Sequence, residues 1–145
     1  MPPIVLRMKD APTSIPLEAE SISPDIFVQR SQREIEALPV ALGNETHQLG
    51  DFFSIEGERS DEIVIEGSTG RVKWIGSGMT RGRIVVHGDV GMHAGSYMQG
   101  GEILIEGNAD DFLGVEMKGG LIRVNGSTGH RAGAAYRGSK YGMQG

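Results

Sequence analysis

The chain has 145 residues, a formal net charge of −5, 23 glycines and no cysteine. Lacking cysteine, it forms no disulfide framework, thiolate zinc site, iron–sulfur cluster or cysteine nucleophile. Residues 1–70 carry five Lys/Arg against thirteen Asp/Glu, and residues 71–145 carry nine against six, too slight a basic excess for a nucleic-acid footprint.

Met1-Pro2-Pro3-Ile4-Val5-Leu6-Arg7 shows no signal-peptide core, and no apolar run approaches membrane-spanning length, so the cytoplasm is the expected compartment. Ile4-Val5-Leu6 predicts a strand, and Pro12 and Pro16 exclude a helix interior beyond it. Ser23-Pro24-Asp25 reads as an N-cap, a proline in the first turn and an early acid, which predicts one helix over residues 24–37, stopping near Pro39. Phe27, Ile35 and Leu38 form its apolar stripe, which needs something apolar to rest on. The expected division is therefore an N-terminal strand and helix segment, 1–57, capping a repeat array over 58–145. Residues 43–51 read as loop, and Phe52-Phe53-Ser54-Ile55-Glu56-Gly57 as a leading strand.

The second half repeats. Gly88, Gly107 and Gly126 fall 19 residues apart, each closing a short apolar strand such as Arg83-Ile84-Val85-Val86-His87. An earlier copy, Glu62-Ile63-Val64-Ile65-Glu66-Gly67, stands 21 residues upstream of Gly88. Further glycines keep step at 95, 114 and 133, and at 100, 119 and 138. Self-similarity at this length predicts stacked structural repeats. Ile84 with Val86, Ile103 with Ile105 and Ile122 with Val124 point one way, so equivalent residues would lie one above another. Further ladders are expected through Ala94, Leu113 and Ala132, and through Met98, Met117 and Tyr136. The period fits neither a hexapeptide helix nor a calcium-binding nonapeptide repeat. An all-β fold is expected: a parallel β-helix, or β-solenoid, with coils of 19 residues, preceded by a short strand and one amphipathic helix. The tail Tyr141-Gly142-Met143-Gln144-Gly145 echoes residues 97–100, after which a strand should follow. The expectation is an array incomplete at its C-terminus, its last coil open to a partner or to self-association.

This grammar of Gly-x-Ile-x-Ile-x-Gly strands and glycine-spaced turns resembles the glycine-repeat domain of the glutamate synthase large subunit. More closely, it resembles the C subunit of formylmethanofuran dehydrogenase and its counterpart in the bacterial formyltransferase/hydrolase complex. The segments that carry the likeness are Leu49-Gly50-Asp51-Phe52-Phe53, Gly78-Met79-Thr80-Arg81-Gly82, Ala109-Asp110-Asp111-Phe112-Leu113-Gly114 and Gly133-Ala134-Ala135-Tyr136-Arg137-Gly138. The resemblance implies a right-handed parallel β-helix acting as a non-catalytic scaffold within a multisubunit assembly of one-carbon metabolism. It supplies no catalytic residue here. A methanofuran-type carrier and molybdopterin or metal centres would belong to partner subunits. Two other readings are a glutamate synthase-like amidotransferase domain and an autonomous β-helix enzyme acting on carbohydrate.

His87, His93 and His130 with Asp89, Asp110 and Asp111 suggest a metal cluster, but their unequal distances from the closing glycines make surface or turn positions the better reading. Residues 76–82 lack the Lys-Ser/Thr of a phosphate loop, so they are expected to form a widened corner holding the two extra residues of that repeat. Ser68-Thr69-Gly70-Arg71 and Ser127-Thr128-Gly129-His130 read as turn chemistry rather than nucleophile sites. Met79, Met92, Met98 and Met117 are expected to fill the stack. Arg131, Tyr136, Arg137, Lys140 and Tyr141 form the candidate partner or coenzyme-tail surface. No cofactor or metal is expected on this chain.

Overall fold

The structure is a computed structural model that describes residues 2–9 and 16–130. In chain order the elements are β1 (Ile4–Met8), β2 (Leu17–Glu18), α1 (Pro24–Phe27), α2 (Gln32–Glu36), β3 (Pro39–Leu42), β4 (Glu45–Gln48), α3 (Leu49–Phe52) and β5 (Phe53–Glu56). The repeats then supply β6 (Glu62–Glu66), β7 (Val72–Lys73), β8 (Arg83–His87), β9 (Glu102–Ile105) and β10 (Leu121–Val124).

A six-stranded sheet has the order β10-β9-β8-β6-β1-β5, and a four-stranded sheet the order β4-β3-β2-β7. Strands β6, β8, β9 and β10 are parallel and in register, so Ile63, Ile84, Ile103 and Ile122 lie side by side. β1 continues the parallel run, with Ile4 opposite Ile63 and Leu6 opposite Ile65. β5 then pairs antiparallel with β1. In the second sheet, β3 is antiparallel to both β2 and β4, and β7 is parallel to β2.

This arrangement overturns the expected all-β, right-handed parallel β-helix. Both sheets are mixed, and three short helices accompany them. The physical reason lies in the N-terminal residues. They extend the sheet beyond β6 through the parallel β1, and β5 follows in the opposite direction, which makes the sheet mixed. The single helix expected over 24–37 is also broken. Ser31 starts a new one: its hydroxyl accepts from the Glu34 N–H at 3.2 Å, and the Glu34 carboxylate accepts from the Ser31 N–H at 2.9 Å. That reciprocal pair is the capping box written as Ser31-Gln32-Arg33-Glu34. Residues 43–51, read as loop, instead hold the turn of the β3–β4 hairpin, β4 itself and most of α3. Gly43, at φ 60°, takes the first position of the two-residue hairpin turn, where glycine suits the backbone.

Alternation along the strands sorts the side chains. Ile63, Ile65, Ile84, Val86, Ile103 and Ile105 are buried, while Val64, Val85 and Leu104 on the opposite face are half-buried. Met79, Met98 and Met117 stand 19 residues apart in the same core, as do Ile75, Ala94 and Leu113. Phe27, Ile22, Ile35 and Leu49 join it from the N-terminal segment. Each fully buried aliphatic contributes roughly 1.5–3 kcal/mol.

Candidate functional site

The turns between strands carry the polar chemistry, and their geometry repeats. The backbone N–H groups of Trp74, His93 and Phe112 donate to the carbonyls of Met92, Asp111 and His130, which holds each turn against the next. Trp74, His93 and Phe112 all have positive φ, at 68°, 64° and 63°. Their rings stack nearly parallel, with centroids 4.1 Å apart for Trp74–His93 and 4.8 Å for His93–Phe112. His93 Nδ1 lies 3.3 Å from the Ser96 hydroxyl, which itself donates to the Phe112 carbonyl at 3.4 Å. A serine beside a histidine invites a nucleophilic reading. Ser96 is completely buried, so the pair fastens the turn and is closed to a substrate. Burial, aided by the positive charge of Lys73, holds the His93 imidazole below the usual histidine value.

A second polar column runs beside the first. The Asp89 carboxylate accepts from the Asn108 N–H at 2.7 Å, and the Asn108 side-chain oxygen accepts from the Ser127 N–H at 2.9 Å. Asp111 does the same for the His130 N–H at 2.7 Å, and Asp110 for the N–H of Asp111 at 2.8 Å. His87 is exposed, with its ring 2.9 Å from the Glu106 carboxylate. Among the described residues, no group of three His, Asp or Glu side chains is placed to hold a metal.

Two clefts flank the turn after β6. One, of about 410 Å³, is lined by residues 67–71 with Gly88 and Asp89. The other, of about 340 Å³, is lined by Pro16, Gly70, Arg71, Lys73, Met92 and Asp110, among others. They exist because this turn is longer. Glu66 pairs with His87, 21 residues on, whereas Trp74 meets His93 after 19. The two extra residues therefore lie between Glu66 and Trp74, not in residues 76–82 as the glycine pattern suggested. Residues 76–82 keep the 19-residue step, since Glu102 N–H donates to the Gly82 carbonyl as Leu121 N–H does to Gly101. That loop is held by an acid: the Thr80 N–H and hydroxyl both donate to the Asp25 carboxylate, at 3.0 and 2.6 Å. A carboxylate at that place disfavours an anion.

The clefts bring Arg71 and Lys73 near Asp89 and Asp110, a mixed-charge surface suited to polar contacts. The Ser68-Thr69 hydroxyls read as turn chemistry act accordingly where bonded, Thr69 donating to the Asp89 carbonyl at 2.6 Å. Ser127 likewise donates to Asn108 at 3.3 Å. The candidate surface Arg131, Tyr136, Arg137, Lys140 and Tyr141 lies outside the described residues, as do Ala132 and Tyr136 of the expected ladders. The sequence reading missed the aromatic column altogether. Its signal was present in the 19-residue spacing of Trp74, His93 and Phe112, masked by three different ring types.

No family model matches the chain. Over 101 residues, 66% of this chain and 37% of the relative, it is 42% identical to the C subunit of the tungsten-containing formylmethanofuran dehydrogenase 2 of Methanothermobacter wolfeii. Over 83 residues, 56% of this chain and 21% of the relative, it is 47% identical to the C subunit of the molybdenum-containing formylmethanofuran dehydrogenase 1 of Methanothermobacter thermautotrophicus. The chain thus spans less than half the length of these curated relatives. In three dimensions it matches a chain of the formyltransferase/hydrolase complex FhcABCD from Methylorubrum extorquens, solved in complex with methylofuran. The TM-score is 0.89 at 31% identity, covering 97% of this chain and 53% of that one. By sequence this chain is similar to the C subunits of formylmethanofuran dehydrogenases, and in fold it is similar to a chain of the formyltransferase/hydrolase complex.

Proposed function

We propose that this chain serves as a non-catalytic scaffold within a cytoplasmic multisubunit assembly that handles formyl groups in one-carbon metabolism. The observation that carries this reading is the match of 97% of the chain to one component of such a complex. Its polar groups agree with a structural role. Asp89, Asn108 and Asp111 are bonded to turn backbone, and Ser96 beside His93 is buried. In this reading the formyl carrier, of methanofuran type, and any molybdopterin or metal centre are held by partner subunits. The charged clefts beside Arg71 and Lys73 face those neighbours.

The test is affinity purification of the tagged chain from its native cells, with partners identified by mass spectrometry and formyl transfer or oxidation assayed on both the complex and the isolated chain. Stoichiometric partner subunits, with activity in the complex alone, are expected. Turnover by the isolated chain, or recovery without any partner, refutes the scaffold role.

A further inference from the structure

We propose that the outer face of the six-stranded sheet docks on the same face of a second copy of this chain, about a twofold axis parallel to the strands. Parallel strands are ordinarily covered on both faces of their sheet. Here Phe27, Ile35 and Leu49 join the core on the inner face. The outer face is left to solvent: Glu62, Arg83, Glu102 and Arg123 are exposed on it, and Val64, Val85 and Leu104 between them are half-buried.

Strand register fixes what this face presents. From β5 to β10 its middle row reads Glu56, Val5, Val64, Val85, Leu104 and Arg123, each residue opposite the next. An aliphatic stripe is therefore closed by an acid at one end and a base at the other. The flanking rows alternate in sign. Arg7, Glu66, His87 and Glu106 follow one another on one side of the stripe, and Glu62, Arg83 and Glu102 on the other. A twofold axis running along the strands between β6 and β8 keeps strand direction and reverses strand order. Each sign then meets its opposite: Glu56 faces Arg123 of the second copy, Arg7 faces Glu106, and Glu62 faces Arg83. Val64 faces Val85, and Val5 faces Leu104. An axis across the strands would instead set Glu66 on Glu62, Glu106 on Glu102 and Arg123 on its own counterpart, all like charges. The charge pattern thus selects both the occupant and its orientation. Two sheets commonly meet in this aligned way, their strand directions within about 30°. Six strands about 4.8 Å apart and five residues of about 3.3 Å make each face roughly 29 by 17 Å. Two such faces bury on the order of 1,000 Å², where specific interfaces begin, so the expected affinity is modest.

Glu56 and Arg123 supply the decisive test, because on one chain they stand five strands, about 24 Å, apart and meet only across the axis. Sedimentation equilibrium of the full chain should show a monomer–dimer balance that Val85→Glu abolishes. Glu56→Arg and Arg123→Glu each act twice in a twofold dimer and should raise its dissociation constant at least about tenfold. Combined, they should return it to within about threefold of the native value. Unchanged circular dichroism checks that each variant remains folded. A chain that stays monomeric up to about 100 μM overturns the proposal, as does association that survives Val85→Glu, or charge swaps that fail to rescue each other. Loss of a different subunit from the native complex on Val85→Glu assigns the face to that subunit and overturns it equally. The scaffold role is judged separately, by partner recovery and by activity.

Discussion

Two glycines of successive turns, both in the left-handed region, should respond very differently to alanine. Gly78 has φ +70°, and a Cβ there would meet nothing within 4 Å. The two residues that follow it at 19-residue steps, Tyr97 and Glu116, already carry side chains at φ 62° and 56°. Gly101 has φ +84°, and a Cβ there would lie 2.8 Å from the Gly82 carbonyl oxygen, 2.8 Å from Met79 Cε and 2.9 Å from the Arg81 carbonyl carbon. Ordinary contact begins near 3.4 Å, so the neighbouring turn must move by about half an ångström. Gly78→Ala carries only the left-handed penalty, about 1–2 kcal/mol, partly offset by a stiffer unfolded chain. Gly101→Ala adds about 1–3 kcal/mol of steric strain. It also weakens the Glu102 N–H bond to the Gly82 carbonyl, 3.0 Å long, which costs roughly a further 0.5–1.5 kcal/mol. Equilibrium urea unfolding should therefore place Gly101→Ala at least about 1.5 kcal/mol below Gly78→Ala, with similar m-values. Equal losses, or a greater one at Gly78, refute the idea that contact between successive turns, rather than backbone conformation alone, requires glycine at 101.

Met98→Ala should cost about 2–5 kcal/mol in the same assay, because Met98 is completely buried between Met79 and Met117, whereas half-buried Met92 should tolerate alanine with less than half that loss. His93 contributes a pH dependence: its folded-state value is depressed, so the unfolded chain binds the extra proton first, and stability should fall as pH drops through the ordinary histidine value near 6.5, levelling off below the folded value. His93→Phe keeps a flat ring between Trp74 and Phe112 and should flatten that slope in urea midpoints measured across this window. Arg83→Ala should cost less than about 1 kcal/mol, since the Arg83–Glu102 pair is 3.8 Å long and both side chains are about half exposed.

How far the fold was legible depends on what each signal measures. The 19-residue step is a statement about neighbours, and the neighbours it named do meet: Ile84, Ile103 and Ile122 lie side by side. A fold class is a statement about the whole chain, and there the step was silent. Nothing near Ile4 announces that it will pair with Ile63, 59 residues away, and nothing in Phe53-Ser54-Ile55-Glu56 fixes an antiparallel direction. Both follow from which slot remains when the apolar rows are buried together. Local signals that were present lost to broader ones: the Ser31-to-Glu34 capping box was submerged in an apolar stripe that suited one longer helix, and Gly43-Asn44 was counted as loop rather than as a hairpin turn. The candidate site was less legible for a related reason. Glycine counting showed that one repeat had two residues too many but not where they sat. A glycine-rich run at 76–82 seemed the natural place, yet its hydrogen bonds keep the common step. The extra residues went to the turn after β6, whose flanking clefts hold the mixed charges of Arg71, Lys73, Asp89 and Asp110. Periodicity thus locates what is shared between repeats. Features peculiar to one repeat arise where the period is broken, so an insertion is better sought by aligning hydrogen-bond steps than by counting glycines.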